Sequence, residues 1–104
     1  MVIYEVNLSI DADVAGPFTL WLKAHVEVML RFEGFVRARI LSMPDGSDGS
    51  SLLTVWYEVR DGDALESYFK DGAEAMRADG LARFGGRFRA TRRILQVDSE
   101  MLPT

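Results

Sequence analysis

Val2, Tyr4, Val6, Leu8 and Ile10 are apolar at every second position, with Ile3, Glu5, Asn7 and Ser9 alternating between them. Successive side chains of an extended chain point to opposite faces, so this spacing predicts a strand over Val2–Ile10 with one apolar and one mostly polar face. A strand of that kind must be covered on one side, and the rest of the chain supplies the cover. Period-two runs return at Phe35–Met43, at Leu52–Val59 and from Phe88 to Val97. In the second run Val36, Ala38 and Ile40 form the apolar set, and Phe35, Arg37, Arg39 and Leu41 the mixed one. In the third, Leu53, Val55, Tyr57 and Val59 face one way, and Leu52, Thr54, Trp56 and Glu58 the other.

Between these runs the apolar spacing changes to three and four. Phe18, Trp21, Leu22, His25, Met29 and Phe32 share one stripe of a helix. It is entered at Asp11–Asp13, carries Pro17 in its first turn and is closed by Gly34. A second helix, capped by Asp61 or Asp63, buries Leu65, Tyr68, Phe69, Gly72, Ala73 and Met76 and ends near Met76, after which Gly80–Gly86 reads as a loop or helical turn. Pro44–Ser50 is a cluster of turn residues at the tip of a hairpin.

The order β-α-β-β-α-β predicts an α+β, ferredoxin-like two-layer sandwich, a four-stranded antiparallel sheet with both helices on one face. At 104 residues the chain is one domain, over 1–98, with 99–104 a frayed tail. The absence of cysteine excludes disulfides, zinc–thiolate sites and a cysteine nucleophile. No apolar run is long enough to span a membrane, and the first ten residues already read as a strand rather than a signal peptide, so a cytoplasmic protein is expected. A net charge of −4 argues against non-specific nucleic-acid binding.

Several segments carry a resemblance. Val2–Leu8 (VIYEVNL), Trp21–His25 (WLKAH), Met76–Gly85 (MRADGLARFG) and Arg87–Leu95 (RFRATRRIL) resemble a family of small bacterial proteins of unknown function, over nearly the whole chain. The resemblance implies the dimeric α/β-barrel superfamily, in which two ferredoxin-like protomers pack sheet against sheet; it implies no established activity. The wider superfamily includes cofactor-independent monooxygenases and haem degraders. The latter use an Asn on the first strand, a Trp on the third and a His on the second helix. Asn7 and Trp56 stand on the first and third strands here, but the sole histidine, His25, is on the first helix, so the axial ligand is missing. No cofactor and no metal site are expected.

The second sheet face holds the candidate site. Glu5, Asn7, Arg37, Arg39, Trp56 and Glu58, with Thr54 and Phe35, are too apolar for a solvated face and too charged for a core. They are expected either to line a small-ligand pocket or to pack as a homodimer interface through the sheet. His25, the only side chain whose unperturbed value lies near neutrality, is the other candidate; its bland reading is a buried or half-buried imidazole hydrogen-bonded to a neighbour. Arg87, Arg89, Arg92 and Arg93 read as a cluster that binds a phosphate or carboxylate, or as solvated charges that protect an edge strand or pair with acidic residues. Gly80, Gly85 and Gly86 lack the strand-to-helix context of a phosphate-binding loop. Three functions follow in order: a homodimeric module with a small ligand between its sheets; a cofactor-independent monooxygenase-like enzyme acting on a small aromatic or polyketide-like substrate; and, last, an RNA-binding module, which the missing basic-Gly-aromatic signature disfavours.

Overall fold

The alternation of the first ten residues becomes β1 (Val2–Ile10), a central strand that pairs along its whole length with a partner on either side. The computed structural model describes residues 1–104. After a single 3₁₀ turn, Ala12–Val14, come α1 (Ala15–Met29), β2 (Phe35–Met43), β3 (Ser51–Val59), α2 (Gly62–Asp71) and α3 (Ala73–Phe84). A second 3₁₀ turn, Gly85–Arg87, leads into β4 (Phe88–Gln96). The sheet order is β2-β3-β1-β4 and every pair is antiparallel. The helices lie on one face, over a core in which Tyr4, Ile10, Phe18, Met29, Val55, Tyr57 and Val59 are each at most 2% exposed. No helix is long and apolar enough to cross a membrane.

One part of the predicted architecture is corrected. The barrel implied by the resemblance is not formed: the sheet is open, with β2 and β4 as its two free edges. Four strands are too few to close on themselves, since even eight leave only enough room for side chains to fill the interior.

Two local expectations also change. The register of β2 against β3 slips between Phe35 and Arg37. The bulge takes up Val36, so that Phe35 (8% exposed) turns into the core beneath Phe32 and Tyr68 while Val36 (56% exposed) faces solvent. The second helix does not end near Met76 but is broken at Gly72 and resumes as α3, so that Gly80 is helical and buried. Gly72 is the residue that permits the break. A Cβ there would come within 2.4 Å of the Phe32 ring, so only glycine lets the two helices change direction against that side chain.

The caps are mixed in origin. Asp61 accepts from the backbone N–H of Ala64 at 2.9 Å, as expected of an N-cap. Asp11 caps nothing through its side chain. It pairs instead with Arg87 at 3.1 Å and Arg89 at 2.8 Å, tying the end of β1 to the start of β4, and Arg87 also pairs with Asp13. The two arginines hold the Asp11 carboxyl below the usual carboxylate range.

Candidate functional site

On the open face, antiparallel pairing sets Glu5 opposite Trp56 and Arg93, Asn7 opposite Thr54, and Arg39 opposite Trp56. Cross-strand neighbours on one face lie close enough to bond, and they do. The Trp56 indole N–H donates to Glu5 Oε1 at 2.7 Å, Asn7 Nδ2 donates to Glu5 Oε2 at 3.0 Å, and the Thr54 hydroxyl donates to Asn7 Oδ1 at 2.8 Å. Arg93 closes the network on Glu5, and Arg37 pairs with Glu58. The Arg39 guanidinium lies 5.4 Å from the centre of the Trp56 ring, within cation–π range. Glu5 is only 3% exposed, yet the Arg93 guanidinium and the donors from Asn7 and Trp56 bring its carboxyl down to about 2.

All six candidates therefore share this face: Glu5, Asn7 and Trp56 in one network, Arg37 and Glu58 as a separate pair, and Arg39 against the Trp56 ring. The cavities walled by Phe18, Lys70, Leu65 and Val28 and their neighbours include none of the six. Beside Trp56 and Asn7 the polar side chains are joined in a hydrogen-bond network. Phe35, expected with them, is in the core.

His25 lies on the opposite side of the sheet. Between the layers is a cavity of about 50 Å³, walled by Phe18, Trp21 and His25 of α1, Tyr4, Val6, Val55, Tyr57 and Phe88 of the sheet, and Tyr68, Met76, Arg77 and Gly80 of α2 and α3. The half-buried His25 ring stacks on Trp21, centroids 4.6 Å apart, and makes no hydrogen bond to another side chain, contrary to the bland expectation. Trp21 is in turn fixed by its N–H, which donates to Asp79 Oδ2 at 2.9 Å. Burial pushes the His25 imidazole below its ordinary value, partly opposed by Asp79 and reinforced by Arg92, so the ring is neutral at pH 7.

Three phenols converge on the same space. Tyr4 accepts from Arg77 at 3.0 Å, whereas Tyr57 and Tyr68 bond to no other side chain. Burial raises both, Tyr68 to about 12, so they remain O–H donors.

The basic segment does not form one anion cluster. Arg87 and Arg89 are held by Asp11, and Arg93 by Glu5. Arg92 sits opposite Val6, on the helix-side phase of β4, and lines the cavity. Neither it nor Arg77 is ion-paired. Tyr4, Tyr57, Tyr68 and Arg77 were not expected as site residues, and Arg92 was expected only as one of the four arginines between 87 and 93. One signal for Arg92 was legible: Phe88, Ala90, Arg92 and Ile94 share a phase, which places a guanidinium where the alternation calls for an apolar side chain. No three His, Asp or Glu side chains are grouped to hold a metal ion.

With this geometry in place, the comparisons with known proteins can be weighed. Residues 1–98 match the domain of unknown function DUF4286. The chain belongs to that family. No curated protein matches it. Among solved structures, SnoaB, a cofactor-independent oxygenase from Streptomyces nogalater, is similar with a TM-score of 0.68 at 16% identity, over 99% of this chain and 98% of that one. A dimeric ferredoxin-like protein from an uncultured marine organism is similar with a TM-score of 0.76 at 10% identity, over 96% and 97%. So is the de novo designed protein Foldit4, with a TM-score of 0.64 at 12% identity, over 92% and 97%. At these identities the likeness is one of fold. A designed chain shares that fold as well as an oxygenase does, so the activity of this DUF4286 member has to be argued from its site.

Proposed function

We propose that this DUF4286 protein is a cofactor-independent oxygenase that takes a small aromatic substrate into the space between its sheet and helices. The observation that carries the reading is the cavity wall: a neutral imidazole and two phenols with no side-chain partner, set among aromatic rings. No buried side-chain nitrogen or oxygen lacks a hydrogen-bond partner, so these groups are open to the cavity rather than orphaned, and a ligand bearing its own donors and acceptors can bond them there. The empty volume of about 50 Å³ falls short of the roughly 150 Å³ that admits benzene, so a ring enters as the flexible Met76 and the His25 edge of the wall give way.

In the chemistry proposed, His25 removes a proton from an acidic methylene flanked by aromatic rings, and the carbanion reduces O₂. One oxygen atom becomes the product carbonyl and the other leaves as water with the two methylene hydrogens, so no external reductant is required. A base of this kind contributes about 10²–10⁴-fold. The test is oxygen uptake with anthrone as probe. Uptake is expected to equal carbonyl formation and to drop at least roughly 10²-fold in His25→Gln, while the wild-type rate declines in acid with its midpoint below 6.5, the ordinary histidine value. Uptake no faster than in buffer would sink the reading.

A second reading concerns the open face. Ile3, Leu41, Leu52 and Leu95 lie on it half-buried beside Trp56, and the marine relative with this fold is a dimer. We assign this face to homodimer contact, with Trp56 as a packing anchor and with Asn7, Glu5, Arg37, Arg39 and Glu58 as the polar groups that set its register rather than as ligand contacts.

A further inference from the structure

We infer that the interlayer site selects a substrate bearing a carboxylate on or beside its aromatic ring, anchored by Arg92 and Arg77; this rests on the interlayer pocket being the ligand site. Charge pairing across the molecule carries the argument. Three of the four arginines between positions 87 and 93 each have a carboxylate: Arg87 and Arg89 have Asp11, and Arg93 has Glu5. Arg92 has none, and it is the one that strand alternation turns to the helix side, opposite Val6.

Arg77 reaches the same cavity from α3. It spends one N–H on the Tyr4 hydroxyl, lies 6.0 Å from the centre of the Phe69 ring, and likewise has no acid. The cavity is lined by sixteen residues, of which these two are the charged ones and none is Asp or Glu. Two guanidiniums lining one aromatic cavity, both exposed at its mouth and without a counter-ion, match a planar carboxylate, which their forked donors can bond in pairs. The unpartnered hydroxyls of Tyr57 (2% exposed) and Tyr68 (4% exposed) add neutral donors deeper in the same wall.

The inventory of the chain supports a site-resolved test. It has two tryptophans, Trp21 in the cavity wall and Trp56 on the open face, so their indole N–H resonances report the two faces separately. Benzoate and benzamide have the same shape and differ in charge. In two-dimensional amide NMR, benzoate is expected to shift the Trp21 indole signal at roughly tenfold lower concentration than benzamide, the order of difference between charged and neutral hydrogen bonds, leaving Trp56 unmoved. Arg92→Gln is expected to erase that preference, bringing benzoate to the response of benzamide, and Arg92→Lys, which keeps the charge, to retain part of it.

Equal responses to both probes would overturn the carboxylate assignment and leave the pocket standing. A preference that survives in both Arg92→Gln and Arg77→Gln would do the same. If neither probe moves Trp21, or if Trp56 moves instead, the pocket and the assignment fall together.

Discussion

A carboxylate on a sheet surface ordinarily stays in water, but Glu5 is 3% exposed and holds Trp56, Asn7 and Arg93 at once. Its pH behaviour follows from that arrangement. The folded-state value of about 2 lies below the ordinary 4.5, so the unfolded chain takes up a proton first as acid is added. The stability that Glu5 contributes is therefore complete above about pH 4.5 and is lost as the pH falls towards 2. Glu5→Gln is expected to lower the melting temperature at pH 7 and to flatten its decline between pH 4.5 and 2, which thermal melts in a pH series would check. A variant that melts at the wild-type temperature at pH 7 would show the network to be energetically idle. Little of this was legible beforehand. Alternation placed Glu5, Asn7, Trp56, Arg37 and Arg39 on one face, but whether such residues surround a space or fill it depends on rotamers and cross-strand register, which period alone does not encode.

At the scale of elements, two helical glycines behave oppositely. Gly62, at the start of α2, has nothing beyond its chain neighbours within 4 Å of where a Cβ would stand, whereas at Gly80 in α3 that atom would come 2.9 Å from the Trp21 ring. The indole has little room to yield, since Asp79 bonds it and Phe18, His25 and Phe84 pack around it. Gly→Ala in a helix is worth up to about 1 kcal/mol, and overpacking costs about 1–3 kcal/mol. Gly62→Ala is therefore expected to raise the melting temperature slightly. Gly80→Ala is expected to lower it by several degrees, at roughly 4–8 °C per kcal/mol for a domain of this size, and to displace the Trp21 indole resonance. Equal effects at both positions would contradict the close packing.

The same element-scale view shows where the sequence was readable. β1 and β2 begin and end where alternation placed them, and β3 and β4 differ by one residue. The bulge that turned Phe35 inward left no trace in the periodicity, because one extra residue in a strand has no period. The continuation of α3 to Phe84 was hidden because Gly80 reads as a breaker until its packing against Trp21 is seen.

For the whole molecule, the two faces of the sheet take different roles, one supporting the cavity and the other assigned to association. Light scattering over a dilution series is expected to give the mass of two chains down to low micromolar concentration. Trp56→Ala is expected to return single chains with the Trp21 resonance unmoved. A monomer at millimolar concentration would remove the interface assignment and leave the interlayer site intact.

Local spacing of apolar residues and the RADGLARFG-type segment carried the ferredoxin-like order, the antiparallel sheet, the family and, Phe35 and Val36 apart, the side chains that share each sheet face. Long-range packing was needed to show that the sheet stays open, that Trp56 and Asn7 bond to Glu5, and that His25, Arg77 and Arg92 line a shared cavity. Those outcomes depend on residues far apart in the chain, and on which charges find partners once the layers have closed.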